Sequence, residues 1–201
     1  MNSQPPPSNE SYALLTEQVK LLYQQAPKAL VVTLIVATAS AYVYWNYVAK
    51  EWLLIWLSAI YLLTSVRFLL IRSYFRVKPP ITDAPRWGKW FMIGVGLSGL
   101  LWGTAGGIFF VSDSETHQFF LAYLLAGMIA GAMATLSYYK GAFLIFSVPV
   151  VLPFSYQVMT HETETQMVVA LTFLLFVAAM GSISYRLYQT MVDSLKLRFD
   201  N

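Results

Sequence analysis

The chain has 201 residues, of which 57% are hydrophobic and only 11% are charged, and its formal net charge is +3. Soluble domains carry roughly 25% charged residues, so the composition excludes an ordinary soluble domain and predicts an integral membrane protein. Cysteine is absent, which excludes disulfides, thiolate metal sites and cysteine nucleophiles. No motif indicates a cofactor, and no basic face interleaved with aromatic residues indicates nucleic acid as a partner.

The first 28 residues are predicted to lie outside the membrane core. Residues 1–10 form a proline-rich polar leader that is expected to be disordered. From residue 11 to residue 28, apolar residues recur at helical spacing opposite glutamines, Glu17 and Lys20. This pattern predicts an amphipathic helix lying on the membrane surface. We expect Pro27 to end that helix, with Lys28 at the water boundary.

Six apolar segments follow, and each is long enough to cross a bilayer. They predict an all-α, six-helix membrane domain over residues 29–187. Only Lys140 and Gly141 separate the fourth segment from the fifth; a turn at Gly141, with Pro149 and Pro153 beyond it, predicts two helices, the second of them kinked. The segments are Ala29–Val48, Trp52–Arg72, Trp87–Val111, Gln118–Tyr139, Ala142–Met159 and Met167–Leu187.

The links between the segments alternate in charge. The link after the second segment, together with the segment ends beside it, holds Arg72, Arg76, Lys78, Arg86 and Lys89 against Asp83. The links after the third and fifth segments hold Asp or Glu and neither Lys nor Arg. Positively charged loops stay in the cytoplasm. Both termini are therefore predicted to be cytoplasmic.

The last segment continues beyond the membrane. From Met167 to Phe199 the chain has no proline, and a helix of that length measures roughly 50 Å, against a hydrocarbon core of about 30 Å. After Tyr185, apolar positions recur in a heptad pattern, which needs a partner helix. Residues 188–201 are therefore predicted to begin a cytoplasmic coiled-coil stalk in a parallel homodimer. The seam residues are Tyr188, Val192, Leu195 and Phe199.

Glycines recur four apart on the third and fourth segments, a spacing that lets helix backbones approach closely. We interpret the pattern as a contact between these two helices inside one subunit. A dimer interface, or a contact that a ligand shifts, is the alternative. The glycines are Gly99, Gly103, Gly107, Gly127 and Gly131.

Three isolated features point to chemistry only weakly. Ser98 lies in a GLSG sequence like that of rhomboid proteases, but neither histidine, His117 or His161, lies in the last segment, where such a protease needs a base. Both histidines sit in or beside acidic links without the spacing of a known metal site, so no metal is predicted. Arg67 lies near the inner leaflet and is expected to snorkel to the cytoplasmic surface in a structural role.

Several stretches resemble motifs of one family. They are LLYQQAP at Leu21–Pro27, the helix Trp56–Arg67, RWGKWF at Arg86–Phe91, GLLWG at Gly99–Gly103, the stretch His117–Ser137, AF at Ala142–Phe143, Pro149, LP at Leu152–Pro153, and the ending SLKLRFDN. With these motifs the chain resembles the six-helix membrane input module at the N-terminus of bacterial hybrid sensor histidine kinases and GGDEF diguanylate cyclases. The ending is the most telling, because it is similar to the junction between that family's last membrane helix and its cytoplasmic coiled coil.

The resemblance implies a sensory domain in the bacterial inner membrane, with a kinase or cyclase output domain downstream. No histidine box, ATP lid or GGDEF sequence occurs in the 201 residues, so the chain is expected to have no enzymatic activity of its own. A small apolar or amphipathic ligand, or a membrane lipid, would bind among the helices and shift the sixth. The residues expected nearest its pocket are Trp102, His117, Gln118, Tyr123, Met128, Pro153 and Tyr156. The alternative is a small membrane transporter or intramembrane hydrolase.

Overall fold

A computed structural model of the chain describes residues 9–160 and 164–199, with side chains for 12–160 and 166–197. The described residues form six α-helices and one short 3-10 helix, with no β-strand among them. The helices are α1 (Asn9–Val43), α2 (Lys50–Val77), the 3-10 helix (Ile81–Asp83), α3 (Ala84–Ile108), α4 (Glu115–Leu136), α5 (Ala142–Met159) and α6 (Glu164–Phe199).

All six α-helices are long and apolar enough to cross a membrane. Large apolar side chains also cover their outer surface: Ile35, Leu62, Leu100 and Leu175 are each more than half exposed. Such a surface suits lipid rather than water. The prediction of an all-α, six-helix membrane protein is therefore confirmed at the level of helix number, length and apolarity.

Helices α3 and α5 form the centre of the bundle. In each of these two helices, half of an 18-residue apolar stretch is buried inside the protein. In the other four helices the buried share of the corresponding stretch is 17% to 28%. The two pack along much of their length. Helices α1, α2, α4 and α6 surround this central pair, so most of their apolar surface faces outward.

Helix α1 differs from its predicted form. It runs without a break through Pro27, so the predicted helix end at Pro27 is wrong. Proline inside a helix costs about 3 kcal/mol or more, but side chains on both sides of it, including Tyr23 and Leu30, are buried in one core and hold the helix together. The apolar face predicted to lie on the membrane surface packs on the protein instead, with Val19 and Tyr23 fully buried.

Residues 9 and 10, which were predicted to belong to the leader, already lie in α1. Residues 1–8 lie outside the described part of the chain.

The turn between α4 and α5 follows the prediction. Gly141 has a φ of 79°, a left-handed conformation that glycine adopts without steric cost, and α5 has the predicted bounds.

Helix α2 ends at Val77, and the N–H of the next residue, Lys78, donates to Tyr74 O. Pro79 and Pro80 come next and prevent the helix from continuing.

The connections define two ends of the bundle. We call one the basic end: it holds the α2–α3 link with Lys78 and the α4–α5 turn with Lys140. The opposite, acidic end holds the α1–α2 link and the α3–α4 link with Asp113. Because α3 starts at the 3-10 helix, it runs from the basic end to the acidic end.

Candidate functional site

A cavity of about 260 Å³, here called the central cavity, lies between α1 and α4. Its back wall is α3, and single residues of α2 and α5 complete it. The exposed residues of its lining belong to α1 or α4, so the cavity opens between these two helices. The lining consists of Lys28, Ala29, Leu30, Val32, Thr33, Arg67, Val95, Ser98, Trp102, Gly127, Met128, Gly131, Ala132, Thr135, Leu136 and Phe146.

Two glycines leave the α4 side of the cavity open. A Cβ built on Gly127 or Gly131 would meet no atom within 4 Å. Helix α4 makes only a slight contact with α3, whereas α3 makes an extensive one with α5. The predicted packing of the α4 glycines against the third segment is therefore wrong. These glycines form a wall without side chains.

The α3 glycines pack on α5 instead. A Cβ on Gly99 would lie 2.5 Å from Phe146 O, and one on Gly103 would collide with Pro149 O. Gly106 continues this face with a contact to Phe154, whereas Gly107 has nothing within 4 Å of its Cβ position. A strict spacing of four drifts off one face of a helix with 3.6 residues per turn, so the contacting row is 99, 103 and 106.

Arg67 of α2 points toward the membrane interior. Its Nη1 donates a hydrogen bond of 2.9 Å to Ser98 Oγ, and that hydroxyl donates to Gly94 O, also at 2.9 Å. The side chain passes over Gly94, where a Cβ would lie 3.1 Å from Arg67 Nε. Ser98 is one turn farther from the basic end than Gly94, about 21 Å from the start of α3 and about 15 Å from its end.

The prediction that Arg67 snorkels to the surface is therefore wrong. Gly94 leaves room for the arginine side chain on α3, and Ser98 offers an acceptor deeper in the membrane. A long side chain on a helix leans toward the N-terminus of its own helix. The N-terminus of α2 is at the acidic end, so Arg67 leans away from the nearer water boundary.

The charge of Arg67 has no counter-ion in the described part of the chain. The ion pair found there joins Lys20 to Glu17 at 3.2 Å. The Phe91 ring centre lies 5.5 Å from the Arg67 guanidinium carbon, and such a cation–π contact contributes about 0.5–2 kcal/mol. Removing an ion from water costs several kcal/mol, so the aromatic contact offsets only part of the cost. Lys28 adds a second positive charge to the cavity lining.

Two of the seven predicted pocket residues line the central cavity. Trp102 is fully buried in its back wall, and its ring meets the Trp56 ring edge-on at 5.3 Å. Met128 lies on the α4 side. Trp56 also donates through Nε1 to Leu101 O at 2.7 Å. This wall is therefore fixed by both ring contacts and a hydrogen bond.

Gln118 is a structural link rather than a cavity residue. Its Nε2 donates to Val111 O at 3.0 Å and to Ser112 O at 3.1 Å, and its Oε1 accepts from Gln166 Nε2 of α6 at 3.0 Å. Gln118 is only 6% exposed. Its amide thus connects α4 to the α3–α4 link and to α6, with no donor left for a ligand.

His117 also serves the structure of the acidic end. Its Nδ1 lies 2.7 Å from Ser114 Oγ, its backbone carbonyl accepts from Tyr44 at 2.7 Å, and its ring lies 3.8 Å from that of Tyr47. In the described part of the chain no three Asp, Glu or His residues come together as metal ligands. His161 lies outside the described residues.

The remaining predicted pocket residues lie away from the central cavity. Tyr123 is 79% exposed and Tyr156 is 69% exposed, so both face the surroundings of the bundle. Pro153 is half-buried within α5, one turn after Pro149. None of the three is part of the cavity lining.

The last turns of α6 lie against their own chain. Leu195, a predicted seam residue, is 9% exposed and lines a second cavity, of about 390 Å³, together with Leu21 and Tyr138. No charged side chain lines that cavity. Burial raises the pKa of Tyr139 above its ordinary value, and the nearby phenol of Tyr188 raises it further.

The other two seam residues are Val192 and Phe199. Val192 is half-buried, and the side chain of Phe199 lies outside the described residues. In this structure Leu195 and Tyr188 contact their own chain. The pairing of the seam with a second copy stays a prediction.

The residues that sequence reasoning missed are the polar ones of the central cavity. Arg67 and Ser98 were each assigned a structural role, and Lys28 was assigned to the water boundary. One available signal was the charge itself, because an ionisable residue inside a membrane segment marks a functional site by default. The neighbours that leave Arg67 facing a cavity come from helices distant in the sequence.

No protein-family model, curated protein or solved structure matches this chain. The fold and the cavity are thus the basis for any assignment of function.

Proposed function

We propose that the chain is a membrane-embedded sensory input module of a bacterial signal-transduction protein. It would convert the binding of a small amphipathic ligand in the central cavity into a movement of α6. Helix α6 would pass that movement to a cytoplasmic kinase or diguanylate cyclase domain. The proposal includes a location in the bacterial inner membrane with both termini in the cytoplasm.

The observation that carries this proposal is the length and packing of α6. It runs from Glu164 to Phe199 as 36 unbroken residues, or roughly 54 Å, against a hydrocarbon core of about 30 Å. It packs on α4 and α5 within the bundle. A single helix therefore contacts α4 and α5, which contribute to the cavity lining, and is longer than the hydrocarbon core is thick, which supports a role in passing the signal out of the membrane.

Two hydrogen bonds connect the cavity wall to α6. At the acidic end Gln118 of α4 accepts from Gln166 of α6. At the basic end Ser137, which follows α4, donates to Ser184 of α6 at 2.9 Å. The cavity-lining part of α4 lies between these two hydrogen bonds, so a ligand that displaces α4 would also displace α6.

The end of α6 offers the two states that a signal needs. In one, Leu195 packs near Leu21 and Tyr138, as in this structure. In the other, the heptad seam pairs with that of a second copy in a parallel homodimer. A ligand shifts the balance only by binding one state more tightly than the other.

Two observations argue against the alternative functions. A transporter needs a path from the cavity to the acidic end, but the fully buried rings of Trp102 and Phe109 lie there, with Trp56 in contact with both. A hydrolase needs a base next to Ser98. That hydroxyl instead bonds to Arg67 and Gly94.

A fusion protein tests the proposal. A diguanylate cyclase domain is joined after Asn201, and one residue is inserted between Gln189 and Thr190 of α6. One residue rotates the remaining helix by about 100°, so the cyclase rate should change. Seven inserted residues restore the phase to within about 20° and should restore the rate. A rate that ignores both insertions would overturn the proposal.

A further inference from the structure

We propose that the central cavity binds a single-chain carboxylic acid, whose carboxylate pairs with Arg67 beside Ser98 and whose acyl chain lies along the apolar walls. This names the ligand class of the proposed sensor, and in that respect it rests on the proposed function. The charge, the lining and the position of the cavity support it.

The positive charge of the site favours an anionic ligand. Arg67 has five N–H donors, and in the described part of the chain one hydrogen bond, to Ser98 Oγ, uses them. No carboxylate there forms an ion pair with it. A guanidinium matches the planar geometry of a carboxylate, with which it forms paired hydrogen bonds. The missing counter-ion is therefore best supplied by a ligand.

The walls of the site favour a ligand with an apolar chain. Val95 and Trp102 of α3, Met128 of α4 and Phe146 of α5 form apolar surface beside the arginine. Gly127 and Gly131 keep the opening toward α1 free of side chains. One polar anchor next to a mostly apolar lining is typical of small-molecule sites. An inorganic anion would leave these walls without a contact.

Size and depth favour a carboxylic acid over a phospholipid. A volume of about 260 Å³ falls slightly below the range of roughly 300–1,000 Å³ for common ligand pockets, so it suits one narrow chain. Ser98 lies near the middle of α3, and carrying a fixed charge to that depth is costly. A carboxylic acid can enter in its neutral form; its proton then passes to solvent water, and the positive charge of Arg67 favours the resulting carboxylate.

Binding to the purified chain tests the inference without any output domain. The full chain is placed in phosphatidylcholine nanodiscs, and radiolabelled dodecanoic acid is titrated. Dodecanol keeps the chain without the charge, and dodecyl phosphate carries a permanent charge. We expect dodecanoic acid to displace the label at much lower concentration than either. Equal competition by dodecanol, or by dodecyl phosphate, would overturn the carboxylic acid as ligand class.

Two variants locate the binding. Arg67→Gln should weaken binding by about 10- to 100-fold, as expected when a charge-assisted hydrogen bond is lost. Arg72→Gln is the matched control, because Arg72 lies on the same helix, is exposed and does not line the cavity. Unchanged affinity in Arg67→Gln would overturn the inference.

A second pair of variants leaves Arg67 intact. Gly131→Leu adds a side chain to the open wall of the cavity and should abolish binding. Gly107→Leu adds the same side chain at a glycine that also has free space but lies outside the cavity, and it should bind normally. Binding retained in Gly131→Leu would place the ligand elsewhere.

The result is separable from the signalling proposal. Absent binding, together with a cyclase fusion that responds to helix phase, would overturn the ligand class and leave the sensor proposal standing. Specific binding, together with a cyclase fusion whose rate ignores helix phase, would overturn the sensor proposal and leave the ligand class standing.

Discussion

Arg67 Nη1 and Ser98 Oγ lie 2.9 Å apart, and this hydrogen bond joins α2 to α3 near the middle of α3. The serine hydroxyl also donates to Gly94 O, so it both accepts and donates a hydrogen bond. The described histidine, His117, is engaged at the acidic end with Ser114. Ser98 thus serves to position the arginine.

Replacing Ser98 by alanine is expected to destabilise the protein, because it removes the Arg67 acceptor. A hydrogen bond to a charged group contributes about 1.5–3 kcal/mol in soluble proteins. Polar pairs in membranes average about 0.6 and reach about 1.7 kcal/mol. We therefore expect a loss of about 1–2 kcal/mol, measured by thermal unfolding in detergent.

The control for Ser98→Ala is Thr172→Ala. The Thr172 hydroxyl is exposed and bonds only to its own helix, at Val168 O and Val169 O. Its loss should leave the unfolding temperature nearly unchanged. Equal unfolding temperatures for Ser98→Ala and wild type would contradict a positioning role. Labelling of Ser98 by a fluorophosphonate probe would contradict it as well, because that reaction requires an activated serine.

Gly103→Ala should prevent normal packing of the central helix pair. Its Cβ would collide with Pro149 O, a backbone atom that cannot move without displacing α5. We expect a loss of about 3 kcal/mol or more, at the upper end of single-residue effects. The yield of monodisperse protein and the unfolding temperature after detergent extraction measure it.

Gly107→Ala is the counterpart on the same helix. Nothing lies within 4 Å of its Cβ position, and alanine favours a helix over glycine by about 1 kcal/mol. This variant should be as stable as the wild type or slightly more stable. Similar losses from the two substitutions would mean that α3 does not contact α5 through this glycine row.

Much of the fold follows from local signals. The apolar segments give the number and approximate bounds of the helices, because hydropathy over about 20 residues decides whether a helix can span a bilayer. Gly141 marks the turn before α5 for an equally local reason, since its φ of 79° suits glycine. Neither inference needs knowledge of a neighbouring helix.

The errors concern contacts between distant parts of the chain. A glycine row shows that some backbone approaches closely, but not whether α4 or α5 supplies it. Pro27 lowers the propensity for helix, yet a common core on both sides of it preserves α1. The direction of Arg67 depends on Gly94, a residue of another helix. The partner of the glycine row, the continuity of α1 and the direction of Arg67 all depend on how helices distant in the sequence pack together.

Gln118 and Gln166 should show coupled stability. Gln118→Leu breaks three hydrogen bonds, whereas Gln166→Leu breaks one and also removes an Oε1 that is buried without a partner. The first substitution should therefore cost more than the second. The double variant should cost less than the sum of the two, by about 0.6–1.7 kcal/mol. Thermal unfolding of the four proteins gives this coupling, and additive effects would contradict the link between α4 and α6.

The end of α6 can be probed by cysteine labelling, because the chain has no native cysteine. Leu195→Cys should react with a maleimide at least about tenfold more slowly than Lys196→Cys, because Leu195 is 9% exposed and its neighbour is exposed. A tenfold ratio corresponds to a protection of about 1.4 kcal/mol. Unfolding the protein in denaturant should equalise the two rates and so exclude a difference in intrinsic thiol reactivity. Equal rates in the folded chain would contradict the packing of α6 near Leu21. Slow labelling at Leu195 that becomes fast in Leu21→Asp would show that this contact, rather than pairing between two copies, protects the seam.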